Sequence, residues 1–158
     1  VSVPINLSLN RFYTIEFFSK VKEHLNKGGI VSFSLPFSDV YLSSEARRYV
    51  FLIKNTLQKV FEDVAIYPGE YIHFFASNIK GVLTYDYKKI EETRIVRGIS
   101  TNFIREYFLF DRLSPFRVSN FQKILREDTS KNMNTNFRPL CFWVEMIFRA
   151  KQFRDIVG

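Results

Sequence analysis

Helical patterns alternate with short apolar runs in the first half of the chain. One run covers Ile30–Leu35 and two more cover residues 64–67 and 71–76, all rich in β-branched and aromatic side chains. Between the last two stands Pro68-Gly69, a turn dipeptide in which proline presets φ and glycine tolerates a positive φ. The pattern therefore predicts three strands, of which the last two form an antiparallel hairpin.

Apolar residues at helical spacing precede each of the first two strands. Thr14 is placed to cap the first helix, Gly28-Gly29 to end it, and Ser43 to cap the second helix. The second helix has one apolar face, formed by Ala46, Tyr49, Val50, Ile53, Leu57, Val60 and Phe61. A helix that crosses between the first two strands makes them parallel, so the hairpin should complete a small mixed sheet. The unbroken apolar run of the first strand is typical of a strand covered on both faces.

From residue 79 onward the pattern is helical. Helices are predicted at residues 86–97, 102–113, 114–127 and from Pro139 onward, with a polar loop at 128–136. The last helix is apolar nearly all round, which is typical of a helix that is buried or binds a partner. We therefore predict an α/β unit at residues 1–78 and a helical extension at residues 79–158, packed together as one compact unit.

Composition favours a single globular domain. The chain has 158 residues, of which 46% are hydrophobic and 17% aromatic, and this is enough for a sizeable core. The net charge of +7 suits nucleic acid, anionic lipid or an anionic ligand. The basic residues nevertheless lie mostly among acidic ones on predicted helix faces, and no nucleic-acid-binding motif occurs. Nucleic-acid binding is therefore the least favoured class of function.

Cysteine usage and the length of the apolar runs bear on the compartment. Cys141 is the only cysteine and lies in an apolar helical run, which is typical of a buried, unreactive thiol. The sequence shows no signal peptide, and no apolar run approaches the roughly 20 residues that span a bilayer. We expect a soluble, cytoplasmic chain with a reduced thiol.

Few residues in the sequence point to chemistry. His24 and His73 are the only histidines, and neither has the neighbours that a metal site needs. Asp39 follows the first strand, where open α/β sheets place their ligands, although an acid in a loop needs no function. Tyr67 ends the second strand beside the rigid turn, where it could present its ring and hydroxyl to a ligand, although aromatic residues are common in strands. Asp39 and Tyr67 are therefore candidate ligand-binding residues, and no metal or cofactor site is predicted.

Several short motifs follow one another in a characteristic order. They are Asn10-Arg11-Phe12-Tyr13-Thr14 with Glu16-Phe17-Phe18, Gly28-Gly29, Tyr41-Leu42-Ser43, Asn55-Thr56-Leu57, Val60-Phe61, Tyr67-Pro68-Gly69 and Phe75-Ala76-Ser77. Together they resemble the carboxy-terminal half of the spermidine synthase family, over nearly the whole chain. The tail, from Asn134 to Pro139 before an aromatic helix, looks most like a long bacterial branch in which a synthase-like domain is joined to membrane-spanning segments.

The resemblance implies a fold and a reaction. Members of the family are aminopropyltransferases on a class I methyltransferase-like Rossmann fold, and they use decarboxylated S-adenosylmethionine as co-substrate. The expected fold is therefore α/β. It comprises a partial Rossmann-like sheet of about three strands, mixed and with one hairpin, followed by a carboxy-terminal helical extension.

The resemblance also implies which site residues are present. Tyr67 matches a family residue that contacts the polyamine, and Ser34 stands where the family has a polyamine-contacting glutamine. The family's nucleotide-binding loop and catalytic aspartate belong to an amino-terminal half that this sequence does not contain, and Val3 stands where a second family acid is expected. We therefore expect Tyr67, Ser34 and Asp39 to be the substrate-binding residues, with no cofactor and no catalytic residue in this chain.

Two classes of function follow. The first is the carboxy-terminal part of a spermidine synthase-like aminopropyltransferase, inactive by itself, with a polyamine as its small-molecule partner. The alternative is a non-catalytic oligomerisation or interaction module, because the strand at Ile30–Leu35 would have an open edge that favours a homo-oligomer or a missing amino-terminal half. A membrane is expected as a partner only through a larger parent protein.

Overall fold

The structure, a computed structural model, describes residues 4–102, 104, 106–126 and 130–157, and its architecture is α/β. The strands are β1 (Ile30–Leu35), β2 (Asp63–Tyr67) and β3 (Ile72–Ser77). The helices that precede or separate them are α1 (Leu7–Asn10), α2 (Ile15–His24) and α3 (Ser44–Val60), with a 3-10 turn at Arg11–Tyr13. The helices after the sheet are α4 (Tyr87–Val96), α5 (Glu106–Leu113), α6 (Pro115–Ile124) and α7 (Leu140–Val157).

Both strand pairs of the sheet are antiparallel, with β3 in the middle. Phe74 of β3 is opposite Phe33 of β1 on one side and Ile66 of β2 on the other. β1 and β2 therefore run in the same direction, but β3 separates them in a split βαβ arrangement. The predicted mixed sheet is wrong, because the hairpin places β3 between the two parallel strands and they do not pair with each other.

The hairpin between β2 and β3 is confirmed, although its glycine has another role than predicted. Tyr67 pairs with His73, so residues 68–72 form the connection. Gly69 is not among the glycines with a positive φ. A Cβ atom at Gly69 would stand 2.9 Å from the carbonyl oxygen of Tyr71. The turn therefore needs glycine for the close approach of its own backbone.

One face of the sheet forms the main core. The rings of Phe33 and Phe74 stack across β1 and β3 with their centres 5.0 Å apart, and the rings of Tyr13 and Phe18 lie 5.7 and 5.8 Å from Phe33. The buried members of the apolar face predicted for α3 are Ala46, Tyr49, Val50, Ile53, Leu57 and, just after the helix, Phe61. Large aromatic side chains thus supply much of the burial that stabilises the fold.

The predicted helix starts are confirmed where a side chain caps them. Thr14 and Ser43 each accept a hydrogen bond from the backbone N–H three residues ahead, at 3.3 and 3.2 Å. Asp86 caps α4 in the same way. The first predicted helix ends earlier than expected, since α2 ends at His24, before Gly28-Gly29.

β1 is not covered on both faces as its composition predicted. Ile30 is 45% exposed and Ser32 is also exposed, whereas Leu35 is fully buried. β1 is an edge strand with one face on the core, and this position leaves alternate residues accessible.

Buried polar contacts hold the start of α7 against the amino-terminal segment. The buried side chain of Asn134 donates to the carbonyl oxygen of Tyr13 and accepts from the backbone N–H of Cys141, both at 3.0 Å. Asn10, also buried, accepts from the backbone N–H of Phe142 at 3.2 Å. Two asparagines from outside the helix therefore satisfy N–H groups that a helix start leaves without partners.

α7 is buried on one side only. Cys141 and Val144 are buried, as predicted for the cysteine, while Trp143 and Ile147 are 57% and 47% exposed. No helix among the described residues combines the length and apolar character needed to cross a membrane. Val3 and residues 127–129 of the predicted helix and loop lie outside the described residues.

Candidate functional site

A cavity of about 580 Å³ lies between the helical extension and the sheet face opposite the core. Its floor is formed by Tyr67, His73 and Phe75, and one wall by the turn that follows β2. Further apolar side chains come from residues 82–84, α4 and α5, among them Val82, Leu83, Ile90, Phe108 and Leu109. The volume and the apolar lining are those of a small-molecule site.

Three side chains form a row across this face of the sheet, at the carboxyl ends of β1 and β2. Ser34 of β1 and Tyr67 of β2 are both directly opposite His73 of β3, so all three lie on one face. Tyr67 and His73 line the cavity, whereas Ser34 lies in the same row outside the lining. The structure thus brings together two of the three predicted site residues, with a histidine between them.

Tyr67 presents its ring to the cavity but not a free hydroxyl. The hydroxyl donates a hydrogen bond of 2.6 Å to the carbonyl oxygen of Thr84. The ring packs against Phe75 and Tyr85, with centres 4.9 and 5.0 Å away. Burial, with a smaller effect of Tyr85, raises the pKa of Tyr67 to about 12, so it stays protonated near neutral pH. A ligand here would meet an aromatic surface.

Asp39 is engaged in an ion pair with the helical extension. Its two carboxylate oxygens accept hydrogen bonds from Nε and Nη2 of Arg117 in α6, both at 2.8 Å, and its side chain is 8% exposed. The backbone N–H of Asp39 donates to the carbonyl oxygen of Gly69 at 3.1 Å. Hydrogen bonding to Asp39 raises the pKa of Arg117. Asp39 therefore joins the loop after β1 to α6 and to the hairpin turn, and its carboxylate is already paired.

Arg112 of α5 brings a second guanidinium to the rim of the cavity. Its Nη2 lies 3.7 Å from Oε1 of Glu70 and its Nε lies 3.8 Å from Oδ2 of Asp111. The guanidinium carbon lies 5.4 Å from the ring centre of Phe108, within the range of a cation–π contact. Burial, and then the charge of Arg112, lowers the pKa of His73, so its imidazole is neutral near neutral pH. The cavity can therefore offer a guanidinium at its rim and a neutral imidazole on its floor to a ligand.

Sequence patterns did not predict His73 and Arg112 as site residues, although both line the cavity. His73 interrupts an apolar run at Ile72–Ser77 on the face away from the core, and this alternation was the available signal. Arg112 lies in an aromatic segment far along the chain, and nothing in its local pattern indicated that it meets the hairpin.

Other reactive side chains have structural environments. Cys141 is fully buried, and burial raises the pKa of its thiol well above the usual value. Nδ1 of His24 is 2.7 Å from the carbonyl oxygen of Lys20 in its own helix. Within the part of the chain that the structure describes, no three His, Cys, Asp or Glu side chains come together as a metal site would require.

No family model matches the chain, and no curated protein matches it. The features of the cavity that bear on its ligand are its volume, its apolar lining and its few polar groups. Among the described lining residues, the acidic, basic and histidine side chains are those of Glu70, His73 and Arg112.

Proposed function

We propose that this chain is the carboxy-terminal part of a spermidine synthase-like aminopropyltransferase and transfers no aminopropyl group by itself. The observation that carries the proposal is the position of β1 at the edge of the sheet, running in the same direction as β2. Doubly wound sheets often carry antiparallel strands at the end of an otherwise parallel sheet. A parallel strand from a nucleotide-binding half would therefore fit on the outer side of β1.

The charges of the site support the proposal that the chain transfers no aminopropyl group by itself. Aminopropyl transfer needs carboxylates beside an amine, to orient it and to remove its proton. The carboxylate of Asp39 is held by Arg117, and the hydroxyl of Tyr67 donates to Thr84. Arg112 at the rim would repel a polyamine cation. The carboxylate of Glu70 also lines the cavity, but it is 82% exposed and lies 3.7 Å from Arg112, so polyamine binding would need further carboxylates from the other half of the domain.

The test is an assay of aminopropyl transfer from decarboxylated S-adenosylmethionine to putrescine. We expect no product from the chain alone and product from the chain mixed with the amino-terminal half of a spermidine synthase-family enzyme. Tyr67→Ala should lower the activity of the mixture, while Tyr41→Ala, in an 85% exposed residue outside the cavity lining, should leave it unchanged. Product from the chain alone would overturn the proposal that it is inactive.

A second candidate is a non-catalytic module that pairs with another copy of itself. It is favoured by the same edge strand together with the exposed Trp143 and Ile147 of α7. Light scattering over a concentration range separates the two. A stable dimer that gains no activity on mixing would favour the module, whereas a monomer that gains activity would favour the aminopropyltransferase part.

A further inference from the structure

Two arginines five positions apart differ in how far their donors are used. Arg117 makes two hydrogen bonds of 2.8 Å to the carboxylate of Asp39. The guanidinium of Arg112 makes no hydrogen bond to another described residue, and its nearest carboxylate oxygens are 3.7 and 3.8 Å away. A guanidinium has five N–H donors in a planar fork that matches a carboxylate. Arg112 therefore has donors available for a ligand.

The surroundings of Arg112 favour an anion as that ligand. Its side chain is 25% exposed, whereas the side chains of Glu70 and Asp111 are 82% and 71% exposed and lie on the solvent side. Such exposed, loosely placed carboxylates neutralise a guanidinium poorly. Phe108 covers one face of the guanidinium, which limits its contact with water. A charge-assisted hydrogen bond to an incoming anion is therefore the strongest polar interaction that the rim can add.

The lining behind Arg112 determines the rest of the ligand. Phe75, Leu83, Ile90, Phe108 and Leu109 give the cavity an apolar interior. One guanidinium suits one negative charge, while a phosphate carrying two charges would need more cations than the described lining supplies. The neutral imidazole of His73 lies on the floor of the same cavity and can donate a single further hydrogen bond.

We propose that the cavity binds an apolar monocarboxylate of the size of a medium-chain fatty acid, with its carboxylate on Arg112 and its hydrocarbon part among Phe75, Phe108 and Leu109. This is a binding activity of the chain by itself, and it is opposite in charge to the polyamine of the proposed aminopropyl transfer. Carboxylate binding and aminopropyl transfer are therefore tested separately, and an experiment can overturn one proposal without the other.

Calorimetric titration of the full chain tests the charge requirement. The probes are decanoate, 1-decanol and decylamine, at neutral pH and below their aggregation concentrations. We expect decanoate to bind, 1-decanol to bind about tenfold more weakly or worse because it lacks the charge-assisted bond, and decylamine to be weaker still. Equal affinity for decanoate and decanol, or tighter binding of decylamine, would overturn the proposal.

Substitutions inside and outside the cavity lining locate the binding site. Arg112→Gln should weaken decanoate binding about tenfold while leaving 1-decanol unchanged, and Arg97→Gln, at an exposed position outside the cavity lining, should affect neither. Val82→Trp, at a 37% exposed lining position, should fill the cavity and weaken both probes while keeping the thermal unfolding midpoint. If decanoate binding is insensitive to both Arg112→Gln and Val82→Trp, its site lies elsewhere and the proposal is wrong.

Discussion

The two faces of the sheet are built from the same kinds of residues but are packed differently. On one face Phe33 and Phe74 stack 5.0 Å apart, and the rings of Tyr13 and Phe18 pack against Phe33. On the other face Tyr67 and Phe75 also pair, 4.9 Å apart, yet a cavity of about 580 Å³ lies above them. The first face is closely filled by the core cluster, whereas the second is only partly covered by the segment that follows β3. Aromatic content therefore does not by itself tell a core from a binding surface.

The largest expected difference between the faces comes from adjacent phenylalanines of β3. Phe74→Ala should lower the free energy of unfolding by about 3–5 kcal/mol, because it leaves a void in a closely packed region. Phe75→Ala should cost about 1 kcal/mol, since Phe75 already borders open space. Urea unfolding of both variants measures this, and equal losses would show that the second face is as tightly packed as the first.

Substitution of the buried Asn134 tests the contacts between the amino-terminal segment and the start of α7. Asn134→Leu should lower the free energy of unfolding by about 2–4 kcal/mol, because it removes the buried hydrogen bonds that the amide makes with the carbonyl of Tyr13 and with the N–H of Cys141. Asn136→Leu, at an exposed position, is the matched control and should have little effect. A small loss for Asn134→Leu would mean that water or rearranged neighbours can satisfy these groups.

The ion pair of Asp39 and Arg117 tests how firmly the extension is joined to the carboxyl edge of the sheet. Asp39→Asn and Arg117→Gln should each cost about 2 kcal/mol, and a double-mutant cycle should give a coupling of about 1–2 kcal/mol. The pair of Glu91 and Arg94 provides the comparison, and a smaller coupling is expected because these residues lie three positions apart on one helix and join no separate elements. Thermal unfolding of the variants gives both coupling energies. Equal values would show that the ion pair of Asp39 and Arg117 does not join the extension firmly to the sheet.

The pH dependence contributed by His73 is the smallest of these effects. The folded protein lowers the pKa of His73 below its ordinary value of about 6.5, so between the two values the unfolded chain binds more protons. Stability should therefore fall as the pH drops through about 6.5 towards the folded pKa. His73→Gln should remove this pH dependence from the urea midpoint of unfolding. The control variant His24→Gln should keep it. An unchanged slope in His73→Gln would show that another group is responsible.

Local features of the fold could be predicted from the sequence, and the order of the strands could not. Thr14, Ser43 and Asp86 cap their helices because capping depends on residues within a few positions. The hairpin was recognisable from Pro68-Gly69. β3 can pair with β2 either on the side away from β1 or on the side facing β1. The local sequence pattern does not indicate which of these two edges of β2 the returning strand reaches.

Local sequence patterns were equally unable to predict the contacts of the candidate site. Ser34 and Tyr67 fall in one row, but that row depends on a register set by the connection at residues 68–72. Asp39 looked available because its partner Arg117 is 78 positions away. The cavity itself exists only because the helical extension returns over the sheet.

The bond from the N–H of Phe142 to Asn10 spans 132 positions of the chain. A ribosome therefore has to synthesise and release at least the 132 residues that follow Asn10 before this side chain can meet its partner, so the contact forms long after α1 itself has been made. Loops of this length slow the formation of the contacts that close them. Until the start of α7 arrives, α1 and the chain around Tyr13 should be open to proteases.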